Sequence, residues 1–166
     1  MRLTQWTDYT LRVLMYCAAC EGREQPVTIS EVAESYDISR SHLTKIVQQL
    51  AAQNLLETSR GRGGGMRLLT PAKDINVGAL VRSTETDFTL VECFDVTTNQ
   101  CRLSSHCRLK GVLWQAMQAY LAELDGVTLA DLVATGPATV QVVAPPRSAA
   151  TRREHSPVPG LPTSLI

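Results

Sequence analysis

The chain has 166 residues, 44 % of them hydrophobic and 19 % charged, which is typical of a folded globular protein and excludes a mainly disordered or fibrous one. Lys and Arg together number 16, as do Asp and Glu, so the formal net charge is zero and the chain as a whole lacks the positive field that steers proteins to nucleic acids. No run approaches the ~20 consecutive apolar residues of a membrane span. The N-terminus MRLTQWTDYT lacks the apolar core of a secretory signal, which predicts a cytoplasmic protein without membrane association.

The N-terminal part of the chain predicts two helices. Thr7 is expected to cap a first helix that runs to about Glu21, and because apolar side chains surround this helix almost completely, it is expected to be buried on both sides. After a turn, Thr28 and Glu31 have the spacing of a capping box, in which each side chain accepts a hydrogen bond from the backbone of the other residue. This pair predicts the start of a short second helix.

A third helix is predicted after the short connection 36–38. Ser39 is expected to cap it, and it runs to about Gln53. Its apolar residues recur at the spacing of one helix face: Leu43, Ile46, Val47, Leu50 and Ala51. Two short helices joined by a tight turn predict a helix-turn-helix at about 28–51, with the third helix as the recognition helix.

A glycine-rich segment follows the recognition helix. Two short strand-like runs, 55–59 and 66–70, flank the sequence RGRGGG, whose glycines supply the positive φ of a hairpin turn. A hairpin in this position is typical of the wing of a winged helix, here about 56–70, although the same composition also suits a simple solvated turn. Residues 1–72 are therefore predicted to form a winged helix-turn-helix DNA-binding domain.

The second half predicts a further helix over 74–84, a loop over 86–107 and a long amphipathic helix over 108–125. The long helix carries a wider apolar stripe than one small domain needs to cover: Leu109, Val112, Leu113, Ala116, Met117, Tyr120, Leu121 and Leu124. We assign the loop and the long helix to a second unit, 73–135, and predict a mainly α fold. Residues 136–166 hold six of the eight prolines and no Phe, Trp or Tyr, which predicts a disordered tail.

The neutral total conceals an uneven distribution of charge. Residues 39–67 carry five cations and one anion, whereas residues 71–135 carry five cations and eight anions. The basic segment offers backbone N–H groups at a helix N-terminus for phosphates, short or forked donors for base edges, and arginines on a flexible hairpin. The candidate contacts to double-stranded DNA are Thr28, Ser39, Arg40, Ser41, His42, Lys45, Arg60, Arg62 and Gly63.

Five cysteines are present, and three lie close together in the sequence. Cys93, Cys101 and Cys107 fall within or next to the predicted loop, whereas Cys17 and Cys20 have apolar neighbours on the first helix and are expected to pack in the core. An odd number of cysteines in a reducing compartment argues against a disulfide framework. Thiolates bind iron–sulfur clusters, zinc or cuprous copper. Wide, irregular spacing in a loop suits an iron–sulfur cluster better than zinc, which favours paired knuckles.

Three thiolates leave one position of a cluster to a different ligand or to an open iron. His106, next to Cys107, is the local candidate, and an exposed loop histidine without a metal role is the alternative. The sequence carries no flavin or nicotinamide fingerprint and no nucleophile or acid–base constellation, so an enzyme is not expected. An electron-transfer protein and a zinc-stabilised winged-helix protein are the alternatives to a DNA-binding sensor.

Several segments together resemble one family of regulators. The segments MRLTQWTDYTLRVLMY, TISEVAESYDISRSHLTKIVQQL, RGRGGGMRL and CRLKGVLWQAMQAYLAELDGVTLADLV are similar to those of the Rrf-two family of winged-helix regulators, and within it to the repressors that sense nitric oxide. The likeness covers residues 1 to about 135, and its most specific signatures are LTxxTDY, the clustered cysteines and LDxxTLADL.

The resemblance implies a cofactor, a ligand set and an assembly. It implies a homodimer whose long helices cross, and a palindromic DNA operator that is bound while an iron–sulfur cluster is intact and released when nitric oxide nitrosylates the cluster. Cys93, Cys101 and Cys107 would hold the cluster, and Asp8, from the partner protomer, would be its fourth ligand. We favour a 4Fe-4S cluster, with 2Fe-2S as the alternative. A regulator that senses redox state or iron supply is the alternative within the same family.

Overall fold

A computed structural model describes residues 2–61, 63–103 and 106–134 of the chain. Its helices and strands, in chain order, are α1 (Gln5–Ala19), α2 (Ile29–Tyr36), α3 (Arg40–Ala52), β1 (Leu56–Ser59), β2 (Gly65–Leu68), α4 (Val77–Thr84), α5 (Arg108–Asp125) and α6 (Leu129–Val133). Two 3₁₀ turns lie at Ala72–Asp74 and Glu92–Phe94. The predicted mainly α class with a small wing is confirmed, and the predicted tail, 136–166, lies outside the described residues.

The first helix begins earlier than predicted. Its N-cap is Thr4, whose hydroxyl accepts a hydrogen bond from the backbone N–H of Thr7 at 3.3 Å, and the helix ends at Ala19 rather than near Glu21. Thr7 is therefore inside the helix, where it is fully buried and donates its hydroxyl to Thr84 at 3.0 Å. Two threonines three residues apart are equivalent as caps, so only this distant partner distinguishes them.

The helix-turn-helix forms as predicted. Both sides of the capping box are present, since the backbone N–H of Glu31 donates to the hydroxyl of Thr28 and the Glu31 carboxylate accepts from the backbone of Thr28. The turn is tight because Asp37 adopts a left-handed conformation, with φ of +53°, which ends α2. Ile38 then enters the core, and Ser39 caps α3 as predicted. The apolar stripe of α3 packs against α1 and α2.

The wing is an antiparallel pair of strands that is attached to the helices. Leu56 lies opposite Leu68 and Ser59 lies opposite Gly65. Val27, in the loop before α2, exchanges two backbone hydrogen bonds with Met66 at 3.0 and 2.7 Å. A side chain at position 65 would come within 2.5 Å of the Val27 carbonyl oxygen, so this close approach requires glycine.

The second half contains the predicted long helix and one helix that was not predicted. α5 has the predicted bounds, and α4 begins at Val77 rather than near 74 because Asn76 caps it. The additional helix, α6, has a capping box formed by Thr128 and Asp131 and buries Leu129 completely. We call α1, α2, α3 and the wing the DNA-reading part. α6 packs on α1, so the end of the described chain returns to the core of this part.

Candidate DNA-binding surface and cysteine segment

Four of the predicted DNA-contacting residues meet at the N-terminus of α3. Ser39, Arg40, Ser41 and His42 are exposed, and the Ser39 hydroxyl caps the helix by accepting the backbone N–H of His42 at 3.4 Å. The hydroxyls of Ser39 and Ser41 lie 3.3 Å apart. A helix N-terminus carries partial positive charge and free N–H donors, so this end is suited to a phosphate or to base edges.

The N-terminal half of α1 supports the helix-turn-helix on both sides of its turn. Tyr9 packs edge-to-face against His42 at the start of α3, with ring centroids 5.8 Å apart. Arg12 lies 5.7 Å from the ring centroid of Tyr36, the last residue of α2. Asp8 forms an ion pair with Arg12 at 3.0 Å and, chiefly through that hydrogen bond, raises the pKa of the guanidinium. Through these contacts, three neighbouring residues of α1 help to orient the recognition helix.

A cleft of about 470 Å³ separates α3 from the wing. Thr44 and Gln48 line it from α3, and Arg60 and Gly61 line it from the turn of the wing. Thr44 and Gln48 were not among the predicted contacts. Their signal is their spacing, because they follow Arg40 at i+4 and i+8 and so continue its polar stripe along the side of α3 that faces the wing.

The cationic side chains on this surface differ in whether they contact other groups of the protein. Lys45 and Arg60 are exposed, whereas Arg40 also approaches Glu34 at 3.8 Å. Arg67, which contributes to the basic segment, donates its guanidinium to the carbonyl oxygens of Arg23 and Glu24, so it fixes the wing to the α1–α2 loop.

Two of the other predicted contacts have visible local roles. Gly63 is exposed with φ of +82°, which supports the predicted need for glycine at the turn. The Thr28 hydroxyl is engaged in its capping box, and Arg62 lies outside the described residues.

The three clustered cysteines occupy one segment between α4 and α5. Cys93 is buried in the 3₁₀ turn, with 8 % of its surface exposed, while Cys101 and Cys107 are half-buried. Cys107 is the N-cap of α5. The neighbouring Phe94 packs edge-to-face on Trp114 of α5, with centroids 5.7 Å apart.

The donor set of this segment fits an iron–sulfur cluster by its chemistry. It supplies three thiols, which are the usual ligands of such clusters. Within the described ranges, no three His, Cys, Asp or Glu side chains lie close enough together to hold one metal ion. The structure therefore places the three cysteines on one segment without gathering them, and Asp8 and His106 do not complete a site with them within this chain.

The other two cysteines behave as predicted. Cys17 is buried in the core of α1, and Cys20 packs against that core. Burial raises the pKa of the Cys17 thiol to about 12 and also raises the pKa of Cys20.

A recognition helix with exposed donors, a wing across a cleft and a core that braces both define a winged helix-turn-helix regulator of transcription. Residues 3–135 match the model of the Rrf2 (Rrf-two) family, described as an iron-dependent transcriptional regulator. The chain belongs to this family, and it is a transcriptional regulator rather than an enzyme.

The relatives of this chain are regulators as well. It is 51 % identical over 133 residues to the HTH-type transcriptional regulator NsrR of Bacillus subtilis, covering 80 % of this chain and 90 % of that protein. It is 47 % identical over 133 residues to the NsrR of Halalkalibacterium halodurans, with the same shares covered.

Solved structures of regulators share the fold. Oxidised Staphylococcus aureus CymR matches with a TM-score of 0.64 and 25 % identity, covering 82 % of this chain and 98 % of that one. T. potens IscR matches with a TM-score of 0.59 and 26 % identity, covering 79 % of this chain and 85 % of that one.

Within the described residues, no helix is long and apolar enough to cross a membrane.

Proposed function

We propose that this regulator is a nitric-oxide-responsive repressor. As a homodimer it binds a palindromic operator while an iron–sulfur cluster is intact, and it releases the operator when the cluster reacts with nitric oxide. The observation that carries the proposal is the position of Cys93, Cys101 and Cys107 on the one segment that joins the DNA-reading part to α5. The close similarity to two proteins named NsrR supports it.

The apolar surface of α5 supports the homodimer. Met117 and Leu121 are buried, but Leu109 and Val112 are 61 and 54 % exposed in the single chain. A second copy of α5 would cover this surface by a two-fold symmetric contact. In such a dimer the two copies of α3 would face major grooves one helical turn apart, about 34–36 Å.

The proposed ligands of the cluster are Cys93, Cys101 and Cys107, with the partner's Asp8 in the fourth position. The Asp8 carboxylate is 43 % exposed, so it is accessible to another protomer, although in the single chain it is paired with Arg12. When bound, the cluster would supply iron that reacts with nitric oxide. We favour the 4Fe-4S form.

Hydrogen bonds join the start of the cysteine segment to α1. The Glu85 carboxylate accepts from the backbone N–H of Thr4 at 2.8 Å and from its hydroxyl at 3.1 Å. One residue earlier, Thr84 accepts the buried hydroxyl of Thr7. A rearrangement of this segment would therefore be transmitted to α1. Tyr9 and Arg12 of α1 would pass it on to the recognition helix.

The proposal is tested by replacing one clustered cysteine and one cysteine outside the cluster. Anaerobically purified Cys101→Ala is expected to lose visible absorbance, iron and sulfide, and to bind palindromic DNA more weakly. Cys20→Ala is the matched control and is expected to keep all of these properties. A Cys101→Ala protein with a full iron–sulfur content would overturn the ligand assignment, and zinc in place of iron and sulfide in the wild type would overturn the proposed cofactor.

A further inference from the structure

Side chains of α4 and of its cap residue connect to the C-terminal end of α5. The two terminal guanidinium nitrogens of Arg82 contact the two carboxylate oxygens of Asp125, one of them at 2.7 Å. The Asn76 side chain caps α4 and also donates to the backbone carbonyl of Asp125 at 2.7 Å. One side chain of α4 and the side chain of its cap residue thus converge on one residue at the end of α5.

Glycine at position 78 permits the close approach of the two helices. A Cβ at this position would overlap the Oδ1 atom of Asp125 and lie 2.9 Å from its backbone nitrogen. Real Cβ atoms do not approach other atoms so closely, so any side chain at position 78 would displace Asp125 and the end of α5.

Backbone hydrogen bonds hold the chain immediately after α5 in the same place. The N–H of Val77 donates to the carbonyl of Val127 at 3.0 Å, and the N–H of Leu129 donates to the carbonyl of Ile75 at 2.8 Å. Leu129 is fully buried against the core that also contains α1 and α3. The chain that directly follows Asp125 is therefore fixed to the DNA-reading part.

The exposed apolar residues of α5 lie towards the opposite end of the helix. With 18 residues at ~1.5 Å rise each, α5 is about 27 Å long. A tilt of about 10° at the junction would move the far end of a helix of this length by roughly 5 Å. This displacement exceeds the ~3.4 Å rise of one base pair, so a dimer formed through the exposed face would change the separation of its two recognition helices measurably.

We propose that Gly78, Arg82 and Asp125 are positioning residues that set the separation of the two recognition helices, and thereby the spacing between operator half-sites that the regulator selects. This inference rests on the proposed homodimer and palindromic operator. It assigns a role in operator specificity to residues that lie outside the candidate DNA-contacting surface. Gly78 sets how close α4 and α5 approach, and the bidentate Arg82–Asp125 pair resists rotation between them.

The test measures binding to operators of different half-site spacing. Full-length, anaerobically purified protein is titrated onto a series of palindromic duplexes. One duplex has the half-site spacing that the wild type binds best, and the others are one or two base pairs longer or shorter. A duplex with a single half-site completes the series. Asp125→Asn and Gly78→Ala are the test variants, and Glu123→Gln, an exposed carboxylate on the same helix, is the matched control. Asp125→Asn is expected to fold because exposed ion pairs contribute little to stability.

We expect the wild type and the control to prefer one spacing by at least about tenfold. Both test variants should lose most of this preference or shift it by a base pair, while their affinity for a single half-site stays within about twofold of the wild type. Unchanged spacing profiles in variants that fold would overturn the role of the junction and leave the dimer intact. A wild type that binds all spacings and the single half-site equally would overturn both the junction and the proposed dimer.

Discussion

The Tyr9 ring of α1 packs edge-to-face against His42 in the first turn of the recognition helix, with an interplanar angle of 77°. Tyr9 directly follows Asp8, the proposed cluster ligand, in the sequence. The contact is therefore a short physical connection between the proposed site of sensing and the candidate DNA-binding surface.

Removing the aromatic ring at position 9 should weaken DNA binding without unfolding the protein. Aromatic pairs of this kind contribute about 0.5–1.5 kcal/mol beyond simple burial, so we expect Tyr9→Leu to lower operator affinity by about two- to tenfold. Tyr9→Phe keeps the ring and should bind like the wild type. Fluorescence anisotropy with a labelled operator measures the difference, and equal affinities for Tyr9→Leu and Tyr9→Phe would remove the contact from the coupling path.

A phosphate contact from the wing should be visible in the salt dependence of binding. Arg60 is exposed beside the cleft between α3 and the wing. If it contacts a phosphate, Arg60→Ala should lower affinity and reduce the slope of log affinity against log salt by about one. Lys73→Ala, an exposed cation outside this surface, should leave the slope unchanged. An unaltered slope in Arg60→Ala would show that Arg60 does not contact phosphate.

Substitutions of Ser39 should separate folding from DNA binding. The Ser39 hydroxyl caps α3, so Ser39→Ala is expected to lower the free energy of unfolding by about 1 kcal/mol. Asp is an equally good cap but brings a negative charge to the surface proposed to meet phosphates, so Ser39→Asp should keep its stability and still bind DNA poorly. Chemical denaturation and anisotropy measure the two effects. Strong DNA binding by Ser39→Asp would move the proposed interface away from the N-terminus of α3.

The five cysteines should differ in their rates of alkylation. Burial raises the pKa of Cys17 to about 12, so at pH 8 only about one in ten thousand of these thiols is ionised, and the thiolate is the reactive form. In cluster-free, folded protein, iodoacetamide should modify the half-buried Cys101 and Cys107 well before Cys17. Peptide mass spectrometry after timed quenching follows each site. Modification of Cys17 at the rate of Cys107 in folded protein would contradict its burial in the core.

Elements with a strong local signal could be predicted from the sequence. The caps Thr28 and Ser39 and the long stripe of α5 define their helices through neighbouring residues alone, and the structure contains them as predicted. Features that depend on distant partners could not be predicted. Thr7 is recruited by Thr84, 77 residues away, so the cap of α1 falls on Thr4 instead.

In the candidate site too, features with a local sequence signal could be predicted and features that depend on distant partners could not. The polar first turn of α3 could be predicted from its composition, whereas the binding of Arg67 to the carbonyls of Arg23 and Glu24 depends on how the wing packs. The five-residue α6 is too short for a periodic pattern, although its Thr128–Asp131 capping pair is a signal that could have been used. The ligand role of Asp8 rests on the resemblance alone, because no local pattern distinguishes it from a helix-surface carboxylate paired with Arg12.

In the proposed function, an iron–sulfur cluster controls DNA binding and nitric oxide acts through this cluster. The most direct measurement is an anaerobic titration of the purified protein with nitric oxide, in which visible absorbance and binding to a labelled palindromic operator are recorded on the same samples. Each ~1.4 kcal/mol of coupling free energy changes the affinity about tenfold, so a coupling of a few kcal/mol is readily measured. We expect operator affinity to fall in step with the cluster absorbance, and we expect the Cys101→Ala protein not to respond. Operator binding that stays constant while the cluster absorbance disappears would contradict the proposed function.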